Sequence, residues 1–180
     1  MAPDANVRCS VFIAVSADGF IARLDGGIDW LNAVHREGED YGYAQFVASV
    51  DTFVLGRSTY EVALGFPEWP YAGKRCVVLT HRPGEARHGE RFFSGAPREL
   101  VASLQREGAR HLYVDGGAVI RQFLADGLID ALTLSVVPVL LGQGLPLFES
   151  GGREQRLELL GARGYESGLT QLRYRVARDA

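Results

Sequence analysis

The chain has 180 residues, of which 47% are hydrophobic and 23% are charged, and its formal net charge at pH 7 is -3. This length suits one well-filled domain, and the composition is typical of globular proteins and not of disordered ones. The small negative charge gives no support to a nucleic-acid partner, and the apolar runs are too short to cross a bilayer. Because the first residues lack the apolar core of a signal peptide, we expect a cytoplasmic protein without a membrane partner.

The two cysteines and four histidines give no sign of a disulfide or of a metal site. Cys9 and Cys76 each lie in an apolar, strand-like run, which favours buried, reduced thiols. The histidines show neither an HxxxH pattern nor a Cys/His spacing typical of zinc ligands. We therefore expect no bound metal.

The N-terminal half of the chain predicts strands that alternate with helices after a flexible tail at residues 1–7. Apolar, β-branched runs indicate strands at 7–15, 51–55 and 74–80. Apolar residues at helical spacing predict a helix near 40–49. A second helix is predicted to open within 56–58, with Ser58 as its N-cap, because Glu61 follows three residues later as in a capping box.

The C-terminal half continues this alternation and then ends in two consecutive strands. The pattern indicates strands at 91–93, 111–114, 129–137, 156–162 and 169–176, helices that begin near Pro97 and after Gly117, and an irregular loop at 139–148. This order predicts an α/β fold in a single domain at 8–177. Its central sheet is mostly parallel, with helices on both faces and an antiparallel C-terminal hairpin.

Three predicted strands end in glycine or polar groups that suit a phosphate. These strand ends are Gly56-Arg57-Ser58-Thr59, Thr80-His81-Arg82 and Gly116-Gly117. In an open α/β sheet, ligands bind outside the carboxyl ends of the strands, and helix N-termini there offer unpaired N–H groups to an anion. Each arginine alone is typical of a solvated surface, and the glycine pair alone could form a turn that binds nothing. Together they favour an extended polyphosphate, such as a nicotinamide dinucleotide whose 2′-phosphate uses both arginines.

Several short motifs in this order resemble the dihydrofolate reductase-like superfamily. They are Ser16-Ala17-Asp18-Gly19-Phe20-Ile21-Ala22 (an S-x-D-G-x-I-A turn), Asp29-Trp30-Leu31, Gly56-Arg57-Ser58-Thr59-Tyr60-Glu61, Val77-Val78-Leu79-Thr80, Asp115-Gly116-Gly117 and Pro138-Val139-Leu140-Leu141-Gly142-Gln143-Gly144. The closest resemblance is to the branch that includes the reductase (RibD C-terminal) domain of bifunctional riboflavin-biosynthesis proteins, here as a stand-alone bacterial member. The resemblance covers about residues 8–177 and implies a three-layer α/β/α fold.

The resemblance implies NADPH as cofactor and hydride transfer to a C=N or C=O carbon of a small, heterocyclic substrate. The implied cofactor-binding residues are Ala14, Val15, Gly19, Gly56, Arg57, Ser58, Thr59, Thr80, His81, Arg82, Gly116, Gly117, Ala118, Val119 and Ile120. Those implied for the substrate pocket are Trp30, Tyr43, Phe46 and Leu141. The turn at Asp18 and Gly19 would act as a mobile lid that excludes water.

The proton donor and the substrate are less determined by the sequence. Asp29 is the first candidate acid and Asp18 the second, because a carboxyl in an apolar pocket has a raised pKa that suits proton donation. Asp29 could equally be the N-cap of a helix. Phe12 occupies the position of a lysine common in the riboflavin-pathway reductases, and the sequence lacks the zinc ligands of their deaminase domain.

Two alternative functions and an oligomeric state therefore accompany the main hypothesis. The first alternative is 5-amino-6-(5-phosphoribosylamino)uracil reduction in riboflavin biosynthesis, and the second is NADP(H) binding without turnover. The apolar alternation of the C-terminal hairpin, together with the resemblance, predicts a homodimer, since an exposed apolar sheet is usually covered.

Overall fold

The computed structural model describes residues 6–178. Its strands are β1 Arg8–Ser16, β2 Phe20–Ala22, β3 Thr52–Gly56, β4 Arg75–Leu79, β5 Arg91–Phe93, β6 His111–Asp115, β7 Ala131–Val137, β8 Leu145–Pro146, β9 Leu157–Gly164 and β10 Thr170–Val176. Its helices are α1 Tyr43–Ser49, α2 Arg57–Leu64, α3 Pro97–Arg106 and α4 Gly117–Ala125, with a 3-10 helix at Asp29–Val34.

Eight of the strands form one sheet in the order β5-β4-β3-β6-β1-β7-β10-β9. The pairs from β5 to β7 are parallel, and β10 is antiparallel to both β7 and β9. Strands β2 and β8 form a separate two-stranded ribbon. The mostly parallel sheet with an antiparallel C-terminal hairpin is therefore confirmed.

Helices cover both faces of this sheet because its central strands are apolar on both sides. On the first face, Leu100 and Leu104 of α3 and Ile120 and Phe123 of α4 are fully buried. On the second face, α1 and α2 pack on an aromatic cluster that includes Phe53. The three-layer α/β/α arrangement follows.

Three local expectations differ from the structure. Residues 1–5 of the expected tail lie outside the described range, and Val7 is buried in the core. Ser58 is not an N-cap, because α2 begins at Arg57 with Gly56 at the cap, two residues before Ser58, and no side chain forms a capping bond. The loop at 139–148 is not wholly irregular, since it contains β8.

The cysteines and the lengths of the helices bear on the expected thiol state and on membrane crossing. Cys9 and Cys76 are both free thiols in buried positions, as expected. None of the helices within residues 6–178 has the length and apolar character needed to cross a bilayer.

Candidate functional site

The three polar strand ends meet in one cleft at the carboxyl edge of the parallel strands. This cleft, called here the cofactor cleft, has a volume of about 580 Å³. It is lined by Gly56, Arg57, Ser58, Thr59, Glu61, Leu79, Thr80, His81, Arg82, Gly116, Gly117, Ala118, Val119 and Gln122. Strands β3, β4 and β6 are neighbours in the sheet, so their carboxyl ends bring together segments far apart in the sequence.

Glycine is required where two of these segments touch. A Cβ on Gly116 would lie 2.8 Å from Thr59 Oγ1 and 3.3 Å from the backbone nitrogen of Gly56. Gly116 also has φ of +106°, which side chains rarely adopt. A Cβ on Gly117 would lie 2.7 Å from Ile21 Cδ1. The glycine pair therefore allows the turn after β6 to approach both the turn after β3 and the β2–β8 ribbon.

Helices α2 and α4 both begin at the cofactor cleft with amides that no side chain caps. Their N-cap residues, Gly56 and Gly116, form no side-chain capping hydrogen bond. First-turn N–H groups lack intrahelical partners and carry the positive end of the helix dipole. Two such ends in one cleft, with the hydroxyls of Ser58 and Thr59, form a donor set that fits a pyrophosphate.

The predicted basic residues lie on the outer side of the cofactor cleft. Arg57 forms an ion pair with Glu61 across 2.6 Å and also donates a hydrogen bond to the backbone oxygen of Arg82. The backbone nitrogen of Arg82 donates to Thr80 Oγ1 at 3.1 Å. Arg57 thus joins the start of α2 to the loop after β4 and leaves the Arg82 guanidinium at the cleft. The arrangement fits a cofactor that carries a third phosphate there.

A buried carboxylate, that of Glu90, fixes the loop between β4 and β5. Glu90 is 4% exposed and accepts hydrogen bonds from Tyr60 of α2 and from the backbone nitrogens of Arg87 and His88. Burial alone would raise the pKa of Glu90, but these donors outweigh it and lower the pKa to about 2. Glu90 therefore stays charged and ties the loop that carries Arg82 to α2.

A second cavity lies on the second sheet face, beside β1 and β7. This cavity, called here the ring pocket, has a volume of about 390 Å³ and is lined mostly by apolar side chains. Ala14, predicted to bind the cofactor, lines it together with Phe12 and Tyr43. Ring centroids of Phe12 and Tyr43 lie 5.7 Å apart in an edge-to-face contact. The lysine position of related reductases is thus part of an aromatic wall.

Of the four residues predicted for the substrate pocket, Tyr43 alone lines the ring pocket. Trp30 is buried in a core cluster, and its indole N–H has no partner. Leu141 packs against the same cluster, and Phe46 stacks on Phe12 at 5.0 Å facing a different cleft. None of these three side chains lines the ring pocket.

Two predicted cofactor residues are buried in the core. Ile120 is fully buried, and its N–H donates to the backbone oxygen of Gly116 within α4. Val15 is 7% exposed and packs in the same core. The structure therefore places the side chains of both residues under the site.

Asp29 does not have the environment expected of an acid. It is exposed, and Arg23 binds its carboxylate through two hydrogen bonds of 2.6 and 3.0 Å. The bond from Arg23 holds the pKa of Asp29 below its ordinary value. The alternative N-cap role is also wrong, because Ile28 precedes the 3-10 helix and Asp29 is its first residue. The expected raised pKa is therefore wrong for Asp29.

Asp18 fastens the turn that was expected to act as a lid. Its carboxylate accepts hydrogen bonds from Ser16 Oγ at 2.6 Å and from the backbone nitrogens of Leu141 and Gly142 at 3.1 and 2.7 Å. The bond from Ser16 is the main cause of its lowered pKa. A further hydrogen bond fastens the turn, because the backbone oxygen of Gly19 accepts from the backbone nitrogen of Leu147. Asp18 is thus an ionised anchor between the turn and the loop before β8.

Asp115 is the carboxyl group with a raised pKa among the residues that the structure describes. It ends β6, directly before Gly116, and desolvation raises its pKa to about 6 although the N–H of Gly116 opposes this. Side chains alternate along a strand, so Asp115 faces the same side as Tyr113. Burial and then the charge of Asp115 raise the pKa of Tyr43, which lines the ring pocket. Asp115 is thus directly followed by Gly116 of the cofactor cleft, and its charge acts on Tyr43 of the ring pocket.

Sequence reasoning missed Asp115 as an acid even though it stands in the Asp-Gly-Gly motif. A carboxyl at the end of an apolar strand, before two glycines, was a usable signal, because such a strand carries it into the sheet. Its desolvation comes from burial in the folded chain, which no local pattern reveals.

Comparison with known proteins agrees with this geometry. The family described as the RibD C-terminal domain matches residues 9–170. The uncharacterized protein YwjB of Bacillus subtilis (strain 168) is 40% identical over 167 residues, which cover 91% of this chain and 95% of YwjB.

Solved structures show the same fold. A crystal structure from Shewanella sp. PV-4, whose name assigns it provisionally to riboflavin biosynthesis, is 34% identical with a TM-score of 0.89, over 96% of this chain and 100% of the other. The Thermotoga maritima diaminohydroxyphosphoribosylaminopyrimidine deaminase/5-amino-6-(5-phosphoribosylamino)uracil reductase is 13% identical with a TM-score of 0.72, over 96% of this chain and 57% of that one. The latter likeness shows the fold alone. On the match over residues 9–170, this chain belongs to the RibD C-terminal domain family.

Proposed function

We propose that this protein is an NADPH-dependent reductase that transfers hydride to a C=N or C=O carbon of a small, heterocyclic substrate. The observation that carries the proposal is the cofactor cleft, where two uncapped helix N-termini, two glycine turns and two arginines converge. Membership of a reductase-type family supports it.

The residues of the cofactor cleft have distinct tasks in this proposal. The first-turn amides of α2 and α4, with Ser58 and Thr59, hold the pyrophosphate. Arg82, with Arg57 beside it, holds the 2′-phosphate that distinguishes NADPH from NADH. When bound, NADPH supplies the hydride. The protein contributes a cleft that directs the reactive end of the cofactor towards β1 and Ala14.

Asp115 is the group we propose to hold the proton that the reduced carbon or its neighbouring atom requires. A general acid works best when its pKa is near the pH of the reaction, and desolvation brings the pKa of Asp115 to about 6. Tyr43, which lines the ring pocket, lies near enough to Asp115 that, after burial, the carboxylate charge raises the pKa of the Tyr43 hydroxyl further. Asp29 and Asp18 are engaged by Arg23 and by Ser16, so each is less suited to give up or take up a proton.

Cofactor binding and turnover test the proposal separately. Titration of NADPH should shift its fluorescence and saturate, and Arg82→Gln should weaken that binding. Purified protein that leaves NADPH fluorescence unchanged at high micromolar cofactor would refute the proposal. Binding without oxidation against a panel of pterins, pyrimidines and quinones would instead favour a non-catalytic NADP(H)-binding protein.

A second candidate is 5-amino-6-(5-phosphoribosylamino)uracil reduction, favoured by the names of the structural neighbours. Phe12 in the aromatic wall argues against it, because the position offers no charge to the substrate. Rescue of a bacterial strain that lacks the riboflavin-pathway reductase would establish this activity. Failure of the expressed, folded protein to rescue would remove it.

We also propose a homodimer. The edge strand β9 exposes Leu157, Leu159 and Leu160, which are 41%, 60% and 52% accessible. An edge with unpaired backbone groups and exposed leucines is usually covered by another chain. The supporting argument is the apolar character of this edge, which a second copy would bury.

A further inference from the structure

We infer that the ring pocket takes an uncharged or positively charged ring compound without a phosphate group. The inference rests on the proposed function and deepens it, since it concerns the molecule that would receive the hydride. It also separates this chain from reductases that act on a phosphoribosyl pyrimidine.

The charged groups that line the ring pocket are acidic. Glu39 and Asp40 stand at its rim with His35, and no lysine or arginine is among the described residues that line it. The rest of the wall is mostly apolar, including Leu31 and Leu169. A phosphate in this pocket would be desolvated beside two carboxylates without a cation to compensate, which is strongly unfavourable.

The Asp40 carboxylate is fixed in its ionised form. It accepts hydrogen bonds of 2.9 Å from the backbone nitrogens of both Gly42 and Ala44 at the start of α1. These bonds, that from Ala44 foremost, hold the pKa of Asp40 below its ordinary value. The negative charge at the rim is therefore present at neutral pH, and it cannot turn away without uncapping α1.

A buried hydroxyl supplies the polar contact that a neutral ring needs. Ser135 is 4% exposed and lies on the pocket floor. Gln171 Nε2 donates to Ser135 Oγ at 3.1 Å and to the Tyr41 backbone oxygen at 2.9 Å. Because Ser135 accepts from Gln171, its own O–H remains available to donate. A ring carbonyl or ring nitrogen is the acceptor that matches this donor.

Tyr41 lines both the ring pocket and an adjoining cleft that contains three arginines. This cleft, of about 870 Å³, is lined by Arg8, Arg163 and Arg173 and shares Phe12, Glu39 and Tyr41 with the ring pocket. The Tyr41 hydroxyl donates to the Val34 backbone oxygen and forms a second hydrogen bond with Ser167 Oγ, and Gln171 donates to the Tyr41 backbone oxygen. These bonds hold Tyr41 at φ of +56°, an unusual conformation for a non-glycine residue. Tyr41 is therefore a fixed part of the boundary between the ring pocket and the cleft that contains those arginines, none of which lines the ring pocket.

Ring probes that differ in charge test the inference in the NADPH-loaded protein. Benzamide is neutral, benzamidine is a cation and benzoate is an anion, and the three share size and shape. Phenyl phosphate is a second anion that carries the phosphate itself. Methyl NMR of Ala14, Val137 and Leu169 would report binding at the pocket wall. We expect benzamide and benzamidine to shift these methyls, and both anions to bind about tenfold more weakly or worse because the carboxylates repel them.

Two variants make the charge argument specific. Glu39→Gln should narrow the ratio between benzamidine and benzoate affinity about threefold or more, whereas the exposed Glu37→Gln should leave it unchanged. The inference is overturned if either anion binds as tightly as benzamide, if no probe shifts the three methyls, or if Glu39→Gln leaves the ratio unchanged. It is overturned as well if Arg163→Gln weakens phenyl phosphate, since the phosphate would then reach the arginines.

Cofactor titration in the same samples keeps the two proposals distinguishable. NADPH binding with anion-preferring ring probes would retain the reductase and remove the substrate class. Absence of NADPH binding would remove the reductase, and the order of the probes in the cofactor-free protein would still decide the charge preference of the pocket.

Discussion

Replacement of Asp115 by asparagine should stabilise the protein at alkaline pH and impair its reductase activity. Asparagine has nearly the same shape and keeps a side-chain oxygen for the N–H of Gly116, which now bonds Asp115 at 2.9 Å. It cannot ionise and cannot donate a proton as an acid does. The two effects have one cause, which is the desolvation of this carboxyl in the folded protein.

The size of the stability change follows from the pKa of Asp115. A rise from 3.8 to about 6 corresponds to about 3 kcal/mol, at about 1.4 kcal/mol for each pH unit. Because the folded-state pKa is raised, protonated Asp115 favours the fold below about pH 4, and this contribution is lost as the pH rises through about 6. Asp115→Asn should therefore be up to about 3 kcal/mol more stable than the wild type at pH 8, and the gain should vanish near pH 4.

Urea unfolding at pH 4, 6 and 8 would measure this difference. Glu154→Gln is a suitable control, because Glu154 is exposed and the same change of charge there should not alter the pH dependence. A variant no more stable than the wild type at pH 8, or a gain that is equal at all three pH values, would show that the carboxyl is not desolvated in the folded protein.

The same variant tests the proton-donor role once a substrate is found. Loss of a general acid lowers kcat by about 10²- to 10⁴-fold, and the wild-type rate should fall as the pH rises above about 6. Unchanged kcat in Asp115→Asn, with unchanged NADPH affinity, would contradict the role.

Four further predictions follow from the structure. Gly116→Ala should lower the melting temperature and weaken NADPH binding, because its Cβ would lie 2.8 Å from Thr59 Oγ1 and its φ is +106°. Thermal unfolding and fluorescence titration measure the two effects, and finding neither would contradict the prediction. Arg82→Gln should raise the Kd for NADPH about tenfold and leave NADH binding nearly unchanged, since one charge-assisted contact to phosphate is lost; equal losses would argue against the 2′-phosphate role. Glu90→Gln should lower the free energy of unfolding by about 3 kcal/mol at pH 7. The ionised carboxylate, whose pKa is lowered to about 2, stabilises the fold above about pH 4.5, and this contribution disappears as the pH falls through 2. Denaturant unfolding should therefore give a smaller difference between variant and wild type at pH 2.5 than at pH 7, and an equal difference at both would contradict this assignment. Light scattering should give twice the mass of one chain, and Leu159→Lys should reduce it to one mass; a wild-type monomer would refute the homodimer.

The sequence alone determined the order of the main strands and helices and which strand ends meet in the cofactor cleft. Apolar runs with β-branched residues specify buried strands wherever they occur, and glycine after such a run specifies a turn that side chains would block. Since parallel strands of one sheet end at a common edge, the segments after β3, β4 and β6 had to meet. The sequence therefore predicts that Gly56, Thr80 and Gly116 lie together, and all three line the cofactor cleft.

Tertiary structure alone decided which carboxyl group is desolvated and which side chains line the ring pocket. A pKa depends on burial and on partners from distant segments, so the ion pair with Arg23 lowers the pKa of Asp29, whereas desolvation raises the pKa of Asp115. Trp30 was likewise expected in the pocket but packs in the core. The acidic rim at Asp40 and the buried Ser135 hydroxyl come together only when the segment before α1 folds over β7. Local pattern carries no information about such contacts, because burial and charge pairing are properties of the assembled chain.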